Sequence, residues 1–339
     1  MIPQEYYGEA NPEPPSPEAS WRGRAATFAK AAVSVALLFF LLRRVNGAEL
    51  GAMLRQTNPF WVLLSVPVGV VPIAISSWKW RILLRAKGKP VPFVQLFNLY
   101  FVGNFINNFF PSTIGGDLFR GYEVGRDVGN RALALASVFM ERFTGMTALT
   151  AIALVAFVSN LSSFRDPRFA LALGAGLVTY IGVTVAVLLP GPLAWGLRRF
   201  PGGLPGRLIG KLARVQSAIH DYTGQTRAIV TALGLSLLFY LAAMVNIYVC
   251  SRAFGVVLPA RTLLVIVPVI MFISSLPITV GGLGLLEWAF FFTFGASGAG
   301  SSPGLLVGLL IRVNSLLFSL WGGIVYTVRG IKKRTGRAS

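Results

Sequence analysis

Cysteine and histidine are almost missing from this chain: Cys250 and His220 are single copies in 339 residues. One cysteine excludes a disulfide framework and thiolate-rich zinc or iron–sulfur sites. One histidine excludes His-paired metal centres and argues against nucleophile–histidine catalysis. Charge is also scarce, at 13% of residues against roughly 25% in soluble domains. Acids are scarcest, with 12 Asp+Glu against 31 Lys+Arg, a net charge of +19. The basic residues lie between long apolar runs, not on an aromatic-laced basic face, so nucleic acid is excluded as a partner. A zinc His-Glu-x-x-His motif is absent, and Ile114-Gly-Gly-Asp117 lacks the leading glycine of the Gly-x-Gly-Asp of aspartyl membrane proteases. The expectation is a protein with no catalytic residues, no metal and no cofactor.

What remains is apolar: 54% of residues are hydrophobic. Residues 1–20 combine four Glu with five Pro and few aliphatics, a composition that cannot bury a core. Residues 1–24 therefore read as a disordered cytoplasmic tail, 25–328 as one membrane domain, and 329–339 as a basic cytoplasmic tail. A spanning helix needs about 20 mostly apolar residues. Six segments serve: near 25–42, 59–77, 132–159, 169–189, 228–251 and 304–328. Two further apolar stretches, 92–116 and 262–296, are interrupted by Pro and Gly. The fold class is thus an all-α membrane bundle of about six spans with two re-entrant segments. Basic residues cluster in 79–89, 198–227 and 329–337. Placing these clusters inside puts both termini in the cytoplasm. Trp78 and Trp80, with Lys79 and Arg81, read as an interface anchor, and Arg207, Lys211 and Arg214 as a basic amphipathic helix.

The interruptions match each other: Pro111-Ser-Thr-Ile-Gly-Gly116 and Pro277-Ile-Thr-Val-Gly-Gly282, with prolines 166 apart (277 against 111). Paired Gly/Pro-broken segments in two oppositely oriented halves point to a binding site at the membrane midplane. Irregular backbone at that depth is tolerated only against protein or a water-filled cavity. Adjacent glycines leave amides uncovered at a helix N-terminus, where anions bind. Asp117 is placed to cap the first resumed helix. Leu283 stands at the matching place of the second, leaving its amides free.

At these residues the chain resembles the flippase-like membrane family that includes the transmembrane region of lysylphosphatidylglycerol synthases. The likeness rests on Pro111 to Asp117 with Arg120, on Glu141-Arg142 followed by Gly145, and on Leu276-Pro277 through Gly281-Gly-Leu-Gly284 with Glu287. It covers roughly 25–330 and implies a plasma-membrane protein of a bacterium or archaeon that binds or moves polar lipids. The aminoacyl-transferase domain of those synthases is expected to be absent, so lipid lysylation is not implied.

Four ionisable residues fall inside apolar segments: Glu141, Arg142, Glu287 and Arg312. Each costs at least ~2.5 kcal/mol at the bilayer centre, so each should face the interior and be paired. The expected pairings are Glu141 with Arg120 or Arg312, and Glu287 with a remaining arginine. Two readings stay open. The charges are structural pairs locking the bundle, or the arginines face a lipid phosphate together with the amides of Gly115, Gly116, Gly281 and Gly282. The candidate headgroup site is therefore Gly115, Gly116, Asp117, Arg120, Glu141, Arg142, Gly281, Gly282, Glu287 and Arg312. Three functions compete: a lipid translocase whose partners are anionic or phosphate-bearing lipids, an intramembrane enzyme lacking its usual parts, and a subunit assisting a separate lipid-modifying enzyme.

Overall fold

The computed structural model describes residues 30–109 apart from 38, 42, 45 and 46, then 115–159, 174, 178, 182, 216, 217, 219–276 and 278–335. The expected span at 169–189, the basic amphipathic helix near 207–219, the N-terminal tail and Pro111 and Pro277 lie mostly or wholly outside these residues, whereas the expected C-terminal tail from 329 continues the last helix as far as Thr335. Every regular element described is helical. In chain order they are α1 (Lys30–Leu41), α2 (Gly47–Arg55), α3 (Pro59–Ala86), α4 (Phe93–Phe109) and α5 (Gly115–Asp127). There follow α6 (Arg131–Ser159), α7 (Thr226–Ala253), α8 (Ala260–Ser275), α9 (Leu285–Ala296) and α10 (Ser301–Thr335).

Among the described residues, four helices are long and apolar enough to cross a membrane: α3, α6, α7 and α10. Their outer surfaces expose Leu63, Val155, Leu241 and Leu320, the inverse of a soluble bundle and suited to lipid. Of the apolar run at 25–42, the described part is the helix α1. Both broken segments resolve into pairs of short helices, α4–α5 and α8–α9.

Helix lengths recur in order. From α3 to α6 they are 28, 17, 13 and 29 residues. From α7 to α10 they are 28, 16, 12 and 35. α7 begins 167 residues after α3 (226 against 59), and α8 begins 167 after α4 (260 against 93). For the α5–α9 and α6–α10 pairs the offset is 170 (285 against 115, 301 against 131), because the second break is four residues longer and α8 one residue shorter than α4.

Helices α3 and α7 pack antiparallel. The Asn58 amide at the start of α3 donates to the Ala253 carbonyl at the end of α7 (2.9 Å). Farther along, Lys79 Nζ donates to Ser236 Oγ (3.1 Å). The two hairpins therefore begin at opposite ends of this pair, each seven residues after its long helix (93 after 86, 260 after 253). The α4–α5 hairpin closes at its base through Gln95 Nε2 to Asp127 Oδ2 (2.7 Å). Near its tip a Cβ on Gly116 would collide with the Gly103 carbonyl, so only glycine allows this approach. The second break turns on Gly281, Gly282 and Gly284, all in the left-handed region at φ 58°, 69° and 79°. It packs against the end of α4, where a Cβ on Gly281 would lie 3.2 Å from the carbonyls of Asn107 and Asn108. The second break is thus seated against the end of α4.

Candidate functional site

The hairpins place a carboxylate early in each second arm and an arginine on the long helix that follows. In the first half, Asp117 is the third residue of α5 and Arg142 the twelfth of α6. In the second, Glu287 is the third residue of α9 and Arg312 the twelfth of α10. Both pairs are 25 residues apart, and both close through arginine Nε at 2.8 Å. The register that aligns them is 170. The matching Gly-Gly motifs set Asp117 against Leu283; the helices set it against Glu287, one turn later.

The two pairs differ in everything around them. Arg312 spends its donors on protein: Nε on Glu287 Oε1, Nη1 on the Gly281 carbonyl (2.9 Å) and Nη2 on the Gly282 carbonyl (2.7 Å). Glu287 Oε2 accepts from the Gly284 amide (2.8 Å) and so caps α9. The second break therefore turns carbonyls toward an arginine, and its capping amide is taken, against the expectation of amides left free. In the first break the Gly116 amide is also taken, by Asn107 Oδ1 (2.8 Å).

Around Asp117 three cations meet two carboxylates. Arg142 grips Asp117 with Nε and Nη2 (2.8 and 2.9 Å). Arg120 Nη2 reaches the same carboxylate (2.6 Å) and lies 3.5 Å from Glu141 Oε2. Glu141 takes its closest charged partner from α3, Lys79, at 3.1 Å. The Glu141–Arg120 pairing is present; the alternative Glu141–Arg312 is replaced by Glu287–Arg312. Formally, Lys79, Arg120 and Arg142 against Asp117 and Glu141 leave one positive charge uncompensated. Arg142 is 55% exposed although it lies mid-helix on α6. Arg120 is 1% exposed, and its Nη1 has no hydrogen-bond partner among the described residues. Its guanidinium lies over the Tyr100 ring, 3.8 Å from the centroid.

Lys79 and Trp80 correct the sequence reading. Lys79 is 2% exposed and Trp80 fully buried, with Trp80 Nε1 bound to Ser137 Oγ (2.8 Å). Trp78, exposed at the surface, and Arg81, whose guanidinium lies over its ring at 5.2 Å, remain placed as an interface anchor. The helical phase of α3 turns Lys79 inward despite its place in a basic run.

A cavity of about 290 Å³ lies between the halves. Asp117, Arg120 and Arg142 line it on one set of helices, and Asn246, Ser274 and Asn314 on another. Glu287, Arg312, Gly281 and Gly282 are not among its lining residues, although Leu286, Phe290 and Ile311 beside them are. Asn246, Asn314, Ser274 and Lys79 escaped sequence reading, because a lone amide, hydroxyl or span-edge lysine leaves no pattern.

Residues 27–323 match the family described as the lysylphosphatidylglycerol synthase TM region. A UPF0104 membrane protein of Methanothermobacter thermautotrophicus is 24% identical over 326 residues, covering 89% of this chain and 93% of the relative. A second from the same archaeon is 26% identical over 311 residues, covering 85% and 90%. A third, from Methanocaldococcus jannaschii, is 28% identical over 112 residues, covering 32% and 33%. No solved structure matches.

Proposed function

From the premise that the chain belongs to the lysylphosphatidylglycerol synthase transmembrane-region family and is a multi-pass membrane protein, we propose that it moves phosphate-bearing lipids between leaflets of the plasma membrane without covalent chemistry. The observation that carries this is the unbalanced cluster. A half-exposed Arg142 and a buried Arg120, whose Nη1 has no partner among the described residues, line a cavity with one positive charge over. In a low-dielectric interior that excess calls for an anion, and arginine's planar fork suits a phosphate. The headgroup displaces part of the Arg142–Asp117 contact, while Arg120 and Lys79 hold the two carboxylates.

In this reading α3–α6 and α7–α10 are inverted repeats, and α4–α5 and α8–α9 are re-entrant hairpins entering from opposite faces. Antiparallel α3 and α7 support it, as do the recurring lengths and the equivalent ion pairs. Rocking of one repeat against the other would expose the cavity to each face in turn. Arg81, Arg85, Lys87 and Arg227 sit at one end of the α3–α7 pair, where Lys87 Nζ meets the Asp221 carbonyl (2.6 Å). By the bias of basic residues that end is cytoplasmic.

The test is reconstitution of the purified chain in liposomes carrying fluorescent phospholipids or a polyprenyl phosphate, with a membrane-impermeant quencher reporting leaflet exchange. The wild type should accelerate exchange, and Arg142→Ala should return it to the protein-free rate. Wild-type liposomes no faster than empty ones would sink the translocase. Retained lipid binding would then favour a lipid-binding subunit of a separate lipid-modifying enzyme.

A further inference from the structure

The neutral part of the cavity narrows the ligand. Asn246 on α7 lines the cavity, and among the described residues its one polar contact is the Cys250 thiol, which donates to its Oδ1 at 4.0 Å. Ser274 on α8 presents a buried hydroxyl with no partner among the described residues. Asn314 on α10 gives its amide hydrogen to Ser65 Oγ (2.8 Å), and no donor among the described residues meets its oxygen. These groups offer both donors and acceptors and carry no charge, which is what a hydroxyl needs. An ammonium needs a carboxylate in such a place. Asp117 is the one carboxylate among the described lining residues, and both its oxygens are held by Arg120 and Arg142. The cluster's surplus positive charge also repels an amine. A single surplus charge is neutralised by a phosphodiester, whereas a doubly ionised monoester would overshoot. The volume, near 290 Å³, is at the low end for small-molecule sites and suits a headgroup without its acyl chains.

Resting on the headgroup reading above, we infer that this cavity selects phosphodiester lipids whose headgroups end in hydroxyls, glycerol or a sugar, and rejects those ending in an amine. The arginines take the phosphate, and Asn246, Ser274 and Asn314 take the hydroxyls.

The experiment is a binding series on the full chain purified in detergent, read by native mass spectrometry. The probes have matched acyl chains: phosphatidylglycerol, phosphatidylethanolamine and lysyl-phosphatidylglycerol. Glycerophosphoglycerol is the soluble counterpart. Phosphatidylglycerol should bind at least about tenfold tighter than either amine-bearing lipid, the loss expected when a buried charge lacks a partner. Asn246→Leu should lower phosphatidylglycerol affinity about three- to tenfold, the worth of one neutral hydrogen bond. Asn246→Asp, nearly isosteric, should shift preference toward the amine-bearing lipids. Equal wild-type binding of phosphatidylglycerol and lysyl-phosphatidylglycerol, each lost in Arg142→Ala, would overturn the hydroxyl assignment and leave the headgroup reading standing. Binding of every lipid unchanged in Arg142→Ala would overturn both. Glycerophosphoglycerol competing as well as the lipid would overturn a lipid ligand in favour of a soluble phosphodiester. The wild-type ratios decide the matter alone should either Asn246 variant fail to fold.

Discussion

The two halves carry the same ion pair at the same helical positions and use it differently. Glu287–Arg312 is sealed, neutral and committed to backbone: two carbonyls of the break and the amide that caps α9. Asp117–Arg142 is half open, embedded in a charge excess, and borders a cavity. The difference shows that an intramembrane charge is not a site by virtue of its depth. A pair whose donors are all spent on protein holds a fold; a pair with surplus charge and an open face can take a ligand.

The sharpest way to break this comparison is to make one substitution in both halves. Arg312→Ala should cost about 3–5 kcal/mol, the price of a buried carboxylate left uncompensated, read as thermal unfolding in detergent. Arg142→Ala, at a more exposed pair whose carboxylate keeps Arg120, should cost under about 1 kcal/mol and yet abolish lipid exchange. Equal stability losses would erase the distinction. Lys79→Met comes next, at about 1–2 kcal/mol, because Glu141 retains Arg120 and the excess charge falls. A loss as large as that of Arg312→Ala would show that the first cluster has no redundancy. The smallest effect contrasts the starts of the long helices. Asn58 Oδ1 accepts from the Phe60 amide (3.0 Å), so Asn58→Ala should cost about 1 kcal/mol. Gln225, at the start of α7, makes no capping hydrogen bond with its side chain, so Gln225→Ala should be neutral in the same melting assay.

Much of this was legible before the structure, for reasons that particular residues explain. Apolar runs announced α3, α6, α7 and α10, because a spanning helix must be apolar all round. The Pro/Gly interruptions announced both hairpins, because nothing else breaks an apolar run so sharply. Arg142, Glu287 and Arg312 stood out as charges within those runs. Lys79 did not: flanked by Trp78, Trp80 and Arg81, it looked like the end of a span, and only the rotation of α3 buries it. The register of the halves was also hidden. The glycine motif repeats at 166, the helices before the breaks at 167 and those after them at 170, since the second break holds extra residues before α9 begins. The neutral lining was out of reach because Asn246 and Asn314 come from helices far apart in sequence.

The grip of Arg312 on the Gly281 and Gly282 carbonyls has a mechanical consequence. Left-handed backbone can relax in many ways, but here two successive carbonyls are pinned by one planar group on α10. The second break and α10 therefore behave as one stiff lever: α10 cannot slide or rotate without carrying the turn with it. Among the described residues, Arg142 in the first half grips a carboxylate and no backbone carbonyl, so α6 carries no such tie.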